Sequence, residues 1–170
     1  MFLKIINFLT ISRIIIGVII FILLAFDRNA LLSFILFLFA GLTDYFDGFL
    51  ARKYKLTSQF GEITDPIADK ILIVFVLFGL SIHLSSYLIG FAGSIIISRE
   101  IWVSALRDFN ARNNNSSATK VTFLAKLKTS IQLFTISIYL FGLAFNKMLM
   151  IVIGDIFIVI SMLITIQTGI

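Results

Sequence analysis

Long apolar stretches separated by short polar intervals dominate the hydropathy pattern of this 170-residue chain. Six stretches have the length of a membrane-spanning helix, which needs about 20 predominantly apolar residues. They are continuous rather than alternating in hydropathy, which favours helices over the strands of a barrel. The pattern therefore predicts an all-α integral membrane protein with six transmembrane helices, at about Ile5–Phe26, Leu31–Phe49, Pro66–His83, Tyr87–Leu106, Val121–Phe145 and Met148–Ile166.

The polar intervals are short, and the longest of them is the polar stretch Asn113 to Thr119. The chain has no low-complexity tract and no internal repeat, so residues 1–170 are predicted to form a single domain. Only Lys4 precedes the first apolar run, and no small-residue cleavage pattern follows that run. We therefore expect the first segment to be a retained helix rather than a signal peptide.

Composition supports the membrane assignment. Apolar residues make up 59% of the chain and the mean hydropathy is +1.08, whereas a soluble domain is about 45–50% apolar. The absence of cysteine excludes disulfides, thiolate ligands and a cysteine nucleophile. The net charge of +5 suits anionic lipids or anionic substrates. Because there is no polybasic tail and no interleaving of aromatic and basic residues, a nucleic-acid partner is not expected.

The basic residues predict the orientation. With six spans, twelve of the 14 lysines and arginines fall on one side, and only Arg28 and Lys147 fall on the other. Basic residues concentrate on the cytoplasmic side of membrane proteins. We therefore expect a multi-pass protein of the cytoplasmic (inner) membrane, with both termini and any active site facing the cytoplasm.

Four aspartates form a regular cluster at the end of the second predicted helix and the start of the third. The pattern is Asp44-x2-Asp47-Gly48-x2-Ala51-Arg52-x8-Gly61-x3-Asp65-x3-Asp69, with Pro66 expected in the first turn of the third helix. Carboxylates within a membrane cost at least about 2.5 kcal/mol each on insertion scales, so a set of four indicates function. Spacings of three and four place each pair on one helix face, and two antiparallel helices would bring the pairs together.

Four carboxylates around one point repel one another unless cations neutralise them. Oxygen donors without nearby histidine or cysteine favour Mg²⁺ or Mn²⁺, with Ca²⁺ as a further candidate. Two such ions about 4 Å apart would clamp the attacking and leaving oxygens of a phosphoryl transfer. Gly48 and Gly61 leave room for a nucleotide or diphosphate against the backbone, and Arg52 offers a planar fork for phosphate. The alternative is structural: helix-end aspartates neutralise lysines, and glycines permit close helix packing.

This pattern resembles the signature of the CDP-alcohol phosphatidyltransferases, with all eight fixed positions matched. The resemblance implies a six-helix bundle, a homodimer, two divalent ions, and displacement of CMP from a CDP-linked lipid by an alcohol. It also implies roles for individual residues. Asp44, Asp47, Asp65 and Asp69 would be metal ligands, Asp69 would in addition be the general base, and Gly48, Ala51, Arg52 and Gly61 would shape the CDP-lipid pocket.

Further matches are similar to the members of that family that use sn-glycerol 3-phosphate, which would yield phosphatidylglycerol phosphate and CMP from CDP-diacylglycerol. The motifs are Asn7-x-Leu9-Thr10-x2-Arg13, Thr64 to Lys70, Arg99-Glu100-Ile101, Val103 to Arg107 and Lys126-x-Lys128-Thr129-x2-Gln132. The departures are Ile6, where a proline usually stands, and Ala125, where a glycine does.

Basic residues of the fourth and fifth helices could bind the phosphate of such an acceptor. Arg99 and Arg107 are eight residues apart and share a rough face, so with Lys126 they are candidates to bind a dianionic acceptor phosphate. The alternative is that they extend towards lipid headgroups.

Other functions stay open at this point. The same fold could make cardiolipin, phosphatidylserine or phosphatidylinositol phosphate, or serve as a non-catalytic membrane subunit. A divalent-cation transporter would also use intramembrane aspartates, but it needs polar residues through the full bilayer depth. Here they are confined to one leaflet.

Overall fold

The computed structural model of the protein describes residues 2–54, 59–112 and 123–168, and within them the side chains of 8–46, 64, 67–107, 109–110 and 128–168. All secondary structure in these ranges is helical, which confirms the all-α prediction for this part of the chain. The helices are α1 (Phe2–Ile22), α2 (Ala30–Tyr54), α3 (Gln59–His83), α4 (Tyr87–Arg112), α5 (Phe123–Ala144) and α6 (Met148–Gln167).

Three tight turns join the helices into hairpins α1/α2, α3/α4 and α5/α6. Each turn contains one residue in the left-handed conformation: Arg28 (φ 54°), Ser85 (φ 49°) and Asn146 (φ 53°). Left-handed residues of this kind commonly end helices, because they let the backbone turn back towards the last helical carbonyls. In the first hairpin, a π-helical turn at Leu23–Asp27 extends α1, and the Asn29 side chain accepts a hydrogen bond from the backbone N–H of Leu32 at 3.1 Å.

The three turns lie at the same end of the bundle, here called the turn end and defined by Arg28, Ser85 and Asn146. Nδ1 of His83, the last residue of α3, lies 2.9 Å from the carbonyl oxygen of Leu24 at the end of α1. At the start of α2, the Phe34 ring contacts the Phe141 and Phe145 rings of α5, with centroids 5.9 and 6.3 Å apart. Odd-numbered helices therefore all run towards the turn end and even-numbered helices run away from it.

The bundle core is built by close helix contacts. Helix α1 packs on α2 and α3, α4 packs on α3 and α6, and α5 packs on α2 and α6. Fully buried side chains fill the interior, among them Ile20, Leu24, Leu80, Tyr139 and Leu140. Large apolar side chains cover the outside as well, which is the arrangement of a protein whose solvent is lipid.

Three segments of the described chain are long and apolar enough to cross a membrane: Phe8–Asp27, Tyr87–Arg107 and Met148–Gln167. A shorter apolar helical segment covers Ala30–Phe46. These segments agree with three of the six predicted spans and make this a membrane protein by length and composition. That all six helices span stays a prediction.

The predicted start of the third helix was wrong. Helix α3 begins at Gln59, so Pro66 is its eighth residue rather than part of its first turn. Hydropathy detects the apolar part of a helix and misses a polar extension such as Gln59–Asp65. Proline inside a helix leaves one backbone carbonyl without its usual partner, and helices in membrane bundles tolerate this where neighbouring groups satisfy that carbonyl.

Five charged residues, one from each of the first five helices, lie at a common level along the axis of the bundle. Arg13, Asp44, Asp69, Glu100 and Lys128, here called the polar layer, each lie about 13 to 16 residues from the turn end of their helix. At 1.5 Å per residue, this distance is about 20–24 Å. The aspartates therefore lie inside α2 and α3, with further helix beyond them, rather than at the helix ends where the sequence suggested them.

Candidate active site

The Arg13 guanidinium connects the two described aspartates of the cluster. Its Nη1 donates hydrogen bonds to Oδ1 of Asp44 and to Oδ1 of Asp69, the second at 2.5 Å. The Arg13 side chain is 1% exposed, whereas the side chains of Asp44 and Asp69 are 53% and 44% exposed. One buried cation on α1 thus holds carboxylates from α2 and α3 that stay accessible on their other side.

A close helix crossing positions these groups. A Cβ atom at Gly17 would lie 3.2 Å from Cα of Leu72, so α1 and α3 approach with almost no side chain between them. Gly17 follows Arg13 by four residues and Leu72 follows Asp69 by three, which is about one helical turn in each case. The crossing therefore lies next to the contact between Arg13 and Asp69.

The structure brings together two of the four predicted metal ligands, Asp44 and Asp69. Asp47 lies one turn after Asp44 in α2, and Asp65 lies one turn before Asp69 in α3, but their side chains lie outside the described residues. Within the described part, no three potential ligands form a group. The side chains of Gly48, Ala51, Arg52 and Gly61 also lie outside the described residues, so the predicted CDP-lipid pocket stays a prediction.

The donor set fits a hard divalent cation. Asp44 and Asp69 offer carboxylate oxygens on the accessible side of the Arg13 contact. The remaining predicted ligands are also aspartates, and oxygen-only coordination is what Mg²⁺ and Mn²⁺ prefer. Because Arg13 contributes one positive charge for two carboxylates, these three groups keep a net negative charge that would attract a divalent cation.

A cavity of about 380 Å³ lies beside Asp69, between α3, α4 and α5. Most of its lining is isoleucine and valine from α3 and α4. Its polar lining consists of Asp69, Lys70, Glu100, Thr129 and Gln132. On one wall, the Lys70 ammonium donates a hydrogen bond to the Ser104 hydroxyl, which joins α3 to α4. The cavity thus has an aspartate of the cluster on one wall and Glu100 on another.

Glu100 belongs to a cationic cluster, defined here as Arg99, Arg107 and Lys128 around that carboxylate. The Lys128 ammonium donates a hydrogen bond to Oε1 of Glu100, and Nη1 of Arg99 lies 3.5 Å from the same oxygen. Nη2 of Arg99 also donates to the Thr168 hydroxyl at 2.9 Å. Arg107 lies close enough to Arg99 and Lys128 to interact electrostatically with both.

The cluster brings together two of the three predicted acceptor-binding residues, Arg99 and Arg107. The Lys126 side chain lies outside the described residues. Arg99 and Lys128 are 10% and 5% exposed, so the bundle covers most of both side chains. Three cations against one carboxylate leave an excess of positive charge, which suits a doubly charged phosphate.

Sequence reasoning missed Arg13 and Lys128 as site residues. Arg13 is the only basic residue of the apolar segment Phe8–Asp27, and a cation inside such a segment is itself a signal of function. Lys128 begins a series with Gln132 and Thr135 at helical spacing, and all three side chains are buried. Polar residues that repeat on one face of an apolar helix could have identified this buried polar side of α5.

Asp155, the only charged residue of α6, has a partner within the bundle. The Tyr139 hydroxyl donates a hydrogen bond to Oδ1 of Asp155 at 2.7 Å, which joins α5 to α6. A Cβ atom at Gly154 would lie 2.7–2.9 Å from the Tyr139 ring, so only glycine fits there. The contact is nearer the turn end than the polar layer is, and it joins two helices that pack closely.

Comparison with known proteins places these residues in a wider context. The family model described as CDP-alcohol phosphatidyltransferase matches residues 3–167. Proteins of Rickettsia typhi and Rickettsia prowazekii are each 39% identical over 167 residues. These alignments cover 96% of this chain and 91% and 90% of those proteins. A protein of Wigglesworthia glossinidia brevipalpis is 42% identical over 113 residues, or 66% of this chain and 62% of its own length. All three relatives are named CDP-diacylglycerol–glycerol-3-phosphate 3-phosphatidyltransferase.

Proposed function

Because this chain belongs to the CDP-alcohol phosphatidyltransferase family, we propose that it transfers the phosphatidyl group of CDP-diacylglycerol to sn-glycerol 3-phosphate. The products are phosphatidylglycerol phosphate and CMP. The relatives named above carry this activity in their names and align with up to 96% of the chain. An enzyme of phospholipid biosynthesis is the function that fits both the membrane helices and the charged site.

The observation that carries the proposal is the cavity between α3, α4 and α5. Its lining includes Asp69 of the aspartate cluster and Glu100 of the cationic cluster. A glycerol 3-phosphate molecule has a hydroxyl at one end and a dianionic phosphate at the other. A cavity with the Asp69 carboxylate on one wall and the Lys70 ammonium in its lining, next to the cationic cluster around Glu100, suits such a molecule, since a base and a source of positive charge both lie near it.

In the proposed reaction, Asp69 accepts the proton of the primary hydroxyl of glycerol 3-phosphate. The oxygen attacks the lipid-side phosphorus of CDP-diacylglycerol and forms a new P–O bond. The P–O bond to the CMP phosphate breaks, and CMP leaves with the bonding electrons. A positioned general base contributes about 10²–10⁴-fold to such a step.

Asp44, Asp47, Asp65 and Asp69 would hold two divalent cations, Mg²⁺ or Mn²⁺. When bound, these ions supply positive charge to the diphosphate and to the departing phosphate. Gly48, Ala51, Arg52 and Gly61 would hold the CDP group beside them. Arg13 keeps Asp44 and Asp69 together from the buried side, so their exposed oxygens face the substrates.

Arg99, Arg107 and Lys126 would bind the phosphate of the acceptor, and Lys128 supports them through Glu100. Holding the phosphate fixes the distance between the hydroxyl and the lipid-side phosphorus, and such positioning is worth several kcal/mol in a two-substrate reaction. The isoleucine-rich walls between α3 and α4 suit the apolar part of the lipid substrate.

The same proposal includes the topology and orientation of the protein in the membrane. All six helices would span the cytoplasmic membrane, with the site and both termini on the cytoplasmic side, because twelve of 14 basic residues fall there. The arrangement of the three tight turns at one end supports this topology. The homodimer implied by the family resemblance is proposed with it, and light scattering of the purified protein in detergent tests that state.

The experiment follows CMP release from CDP-diacylglycerol by the purified protein in detergent. Reactions contain Mg²⁺ or a chelator, and glycerol 3-phosphate or no acceptor. We expect release that requires both the metal and the acceptor. Release without glycerol 3-phosphate but with serine, inositol phosphate or phosphatidylglycerol would keep the family and change the acceptor. Folded protein that releases no CMP with any acceptor would overturn the proposal in favour of a divalent-cation transporter or a non-catalytic subunit.

A further inference from the structure

Arg13 is a buried cation in an apolar segment. Its side chain is 1% exposed, and it lies within the candidate span Phe8–Asp27 next to three consecutive isoleucines. A charge in such a position is costly unless partners satisfy it. The Asp44 and Asp69 carboxylates are among its partners, and they are also two of the proposed metal ligands.

The contact has a defined direction. Arg13 approaches Asp44 and Asp69 from the interior of the bundle, and both carboxylates are about half exposed on the remaining side. The close crossing of α1 and α3 at Gly17 and Leu72 lies one turn away from this contact. The guanidinium is therefore a buried positive charge next to the place where a divalent ion would bind.

We propose that Arg13 is a positioning residue that acts as a fixed counter-charge: it holds Asp44 and Asp69 together before a divalent ion binds, and it lowers their affinity for that ion. This inference rests on the proposed metal-dependent function. A cation that shares the carboxylate ligands of a divalent ion repels that ion, and the repulsion is strong where the local dielectric is low. The same cation offsets the repulsion between the two aspartates when no ion is bound.

A consequence concerns the lipid substrate. Because Arg13 offsets part of the negative charge of the aspartates, the site attracts divalent ions less than aspartates alone would. The diphosphate of CDP-diacylglycerol restores negative charge when it binds. Ion binding and binding of the lipid substrate should therefore strengthen each other, by equal factors in the two directions.

The test is a titration of the purified protein with Mn²⁺ in detergent, monitored by electron paramagnetic resonance of the free ion. Wild type, Arg13→Gln and Arg13→Lys are compared, each with and without CDP-diacylglycerol. Arg28→Gln is the matched control, since it removes one positive charge at the turn end, far from the site. Thermal unfolding of each variant without metal shows whether it is folded and how stable it is.

We expect Arg13→Gln to bind Mn²⁺ at least about tenfold more tightly than wild type, because a nearby like charge has been removed. Its unfolding temperature without metal should be lower than that of wild type. Addition of Mn²⁺ should raise the unfolding temperature of this variant more than that of wild type. The substrate should strengthen Mn²⁺ binding less than in wild type. Arg13→Lys keeps the charge, so its Mn²⁺ affinity should stay close to the wild-type value, as should that of Arg28→Gln.

Unchanged or weaker Mn²⁺ binding by folded Arg13→Gln would overturn the inference. If Arg13→Gln does not fold, Arg13→Lys decides: an affinity more than about tenfold above wild type would show that the positive charge is not what limits ion binding. If the wild type binds Mn²⁺ and releases CMP, and Arg13→Gln binds Mn²⁺ with the wild-type affinity, this inference alone is overturned. Wild-type protein that neither binds the ion nor releases CMP would overturn the proposed function with it.

Discussion

Two of the described contacts that place carboxylates inside helices of this bundle differ in almost every other respect. At the polar layer, Asp44 and Asp69 share the charged guanidinium of Arg13 and are about half exposed. Nearer the turn end, Asp155 accepts a hydrogen bond from the neutral hydroxyl of Tyr139, next to a glycine that the Tyr139 ring covers. The first contact joins three helices around accessible oxygens, and the second joins two helices that pack tightly.

We expect this difference to separate functional carboxylates from structural ones in a membrane protein. A position within a helix of the bundle is common to both contacts and does not distinguish them. Convergence of carboxylates from different helices, exposure on one side and a cationic partner on the other set Asp44 and Asp69 apart from Asp155. We therefore expect changes at the polar layer to affect turnover and changes at Tyr139 and Asp155 to affect stability.

The largest effect is expected from Asp69→Asn. The amide keeps the size of the side chain but accepts no proton at neutral pH, so CMP release should fall by about 10²–10⁴-fold. Mn²⁺ binding should be partly kept, because the other aspartates stay in place. If turnover, metal binding and substrate binding are lost equally, Asp69 is a metal ligand only. That result would contradict its role as the general base. Asp155→Asn is the control and should keep its turnover.

Arg107→Gln should weaken the binding of the acceptor. Loss of one charge-assisted hydrogen bond costs about 1.5–3 kcal/mol, which corresponds to a rise of roughly 10- to 100-fold in the KM for glycerol 3-phosphate. The KM for CDP-diacylglycerol should change little. Lys147→Gln, at the exposed turn end, removes the same charge and should leave both constants unchanged. If only the KM for CDP-diacylglycerol rises, Arg107 does not bind the acceptor.

On the structural side of the comparison, Gly154→Ala should destabilise the protein by about 1–3 kcal/mol, because the new methyl group overlaps the buried Tyr139 ring. Gly41→Ala is the matched variant, since nothing lies within 4 Å of its Cβ position. It should change stability by no more than about 1 kcal/mol, in the stabilising direction. Thermal unfolding in detergent measures both, and equal effects of the two variants would contradict the packing argument.

The smallest effect is expected from Tyr139→Phe, which removes the hydroxyl and keeps the ring. Hydrogen bonds between membrane helices contribute about 0.6 kcal/mol on average and about 1.7 kcal/mol at most. Stability should therefore fall within that range while the specific activity of the folded protein stays at the wild-type level. A large loss of activity without loss of stability would place Tyr139 and Asp155 in the functional machinery and would remove the distinction drawn above.

Much of the fold could be predicted because hydropathy records the property that makes these segments helical in lipid. It locates six helices but not their polar ends. Helix α2 continues to Tyr54 and α3 begins at Gln59, and a polar extension has no hydropathy signal. The aspartate pattern predicted that Asp44 and Asp69 meet, since spacing along two helices and an antiparallel arrangement determine it.

The contact of Arg13 with these aspartates could not be predicted in the same way. It depends on how closely α1 approaches α3, which the small size of Gly17 permits but which no spacing within α1 reveals. The pairing of Lys128 with Glu100 likewise depends on how α5 lies against α4. Sequence shows which charges lie in apolar helices, and packing decides which of them become partners.

The hairpin connections have a consequence for how the chain enters the membrane. Arg13 and Asp44 lie on the two arms of the first hairpin, so they can pair as soon as these two helices meet, and the first pair of helices then enters lipid with its central charges neutralised. Asp69 arrives with the second hairpin, and Lys128 reaches Glu100 only with the third. Asp69 and Lys128 therefore each meet a partner that an earlier hairpin has already brought into the bundle.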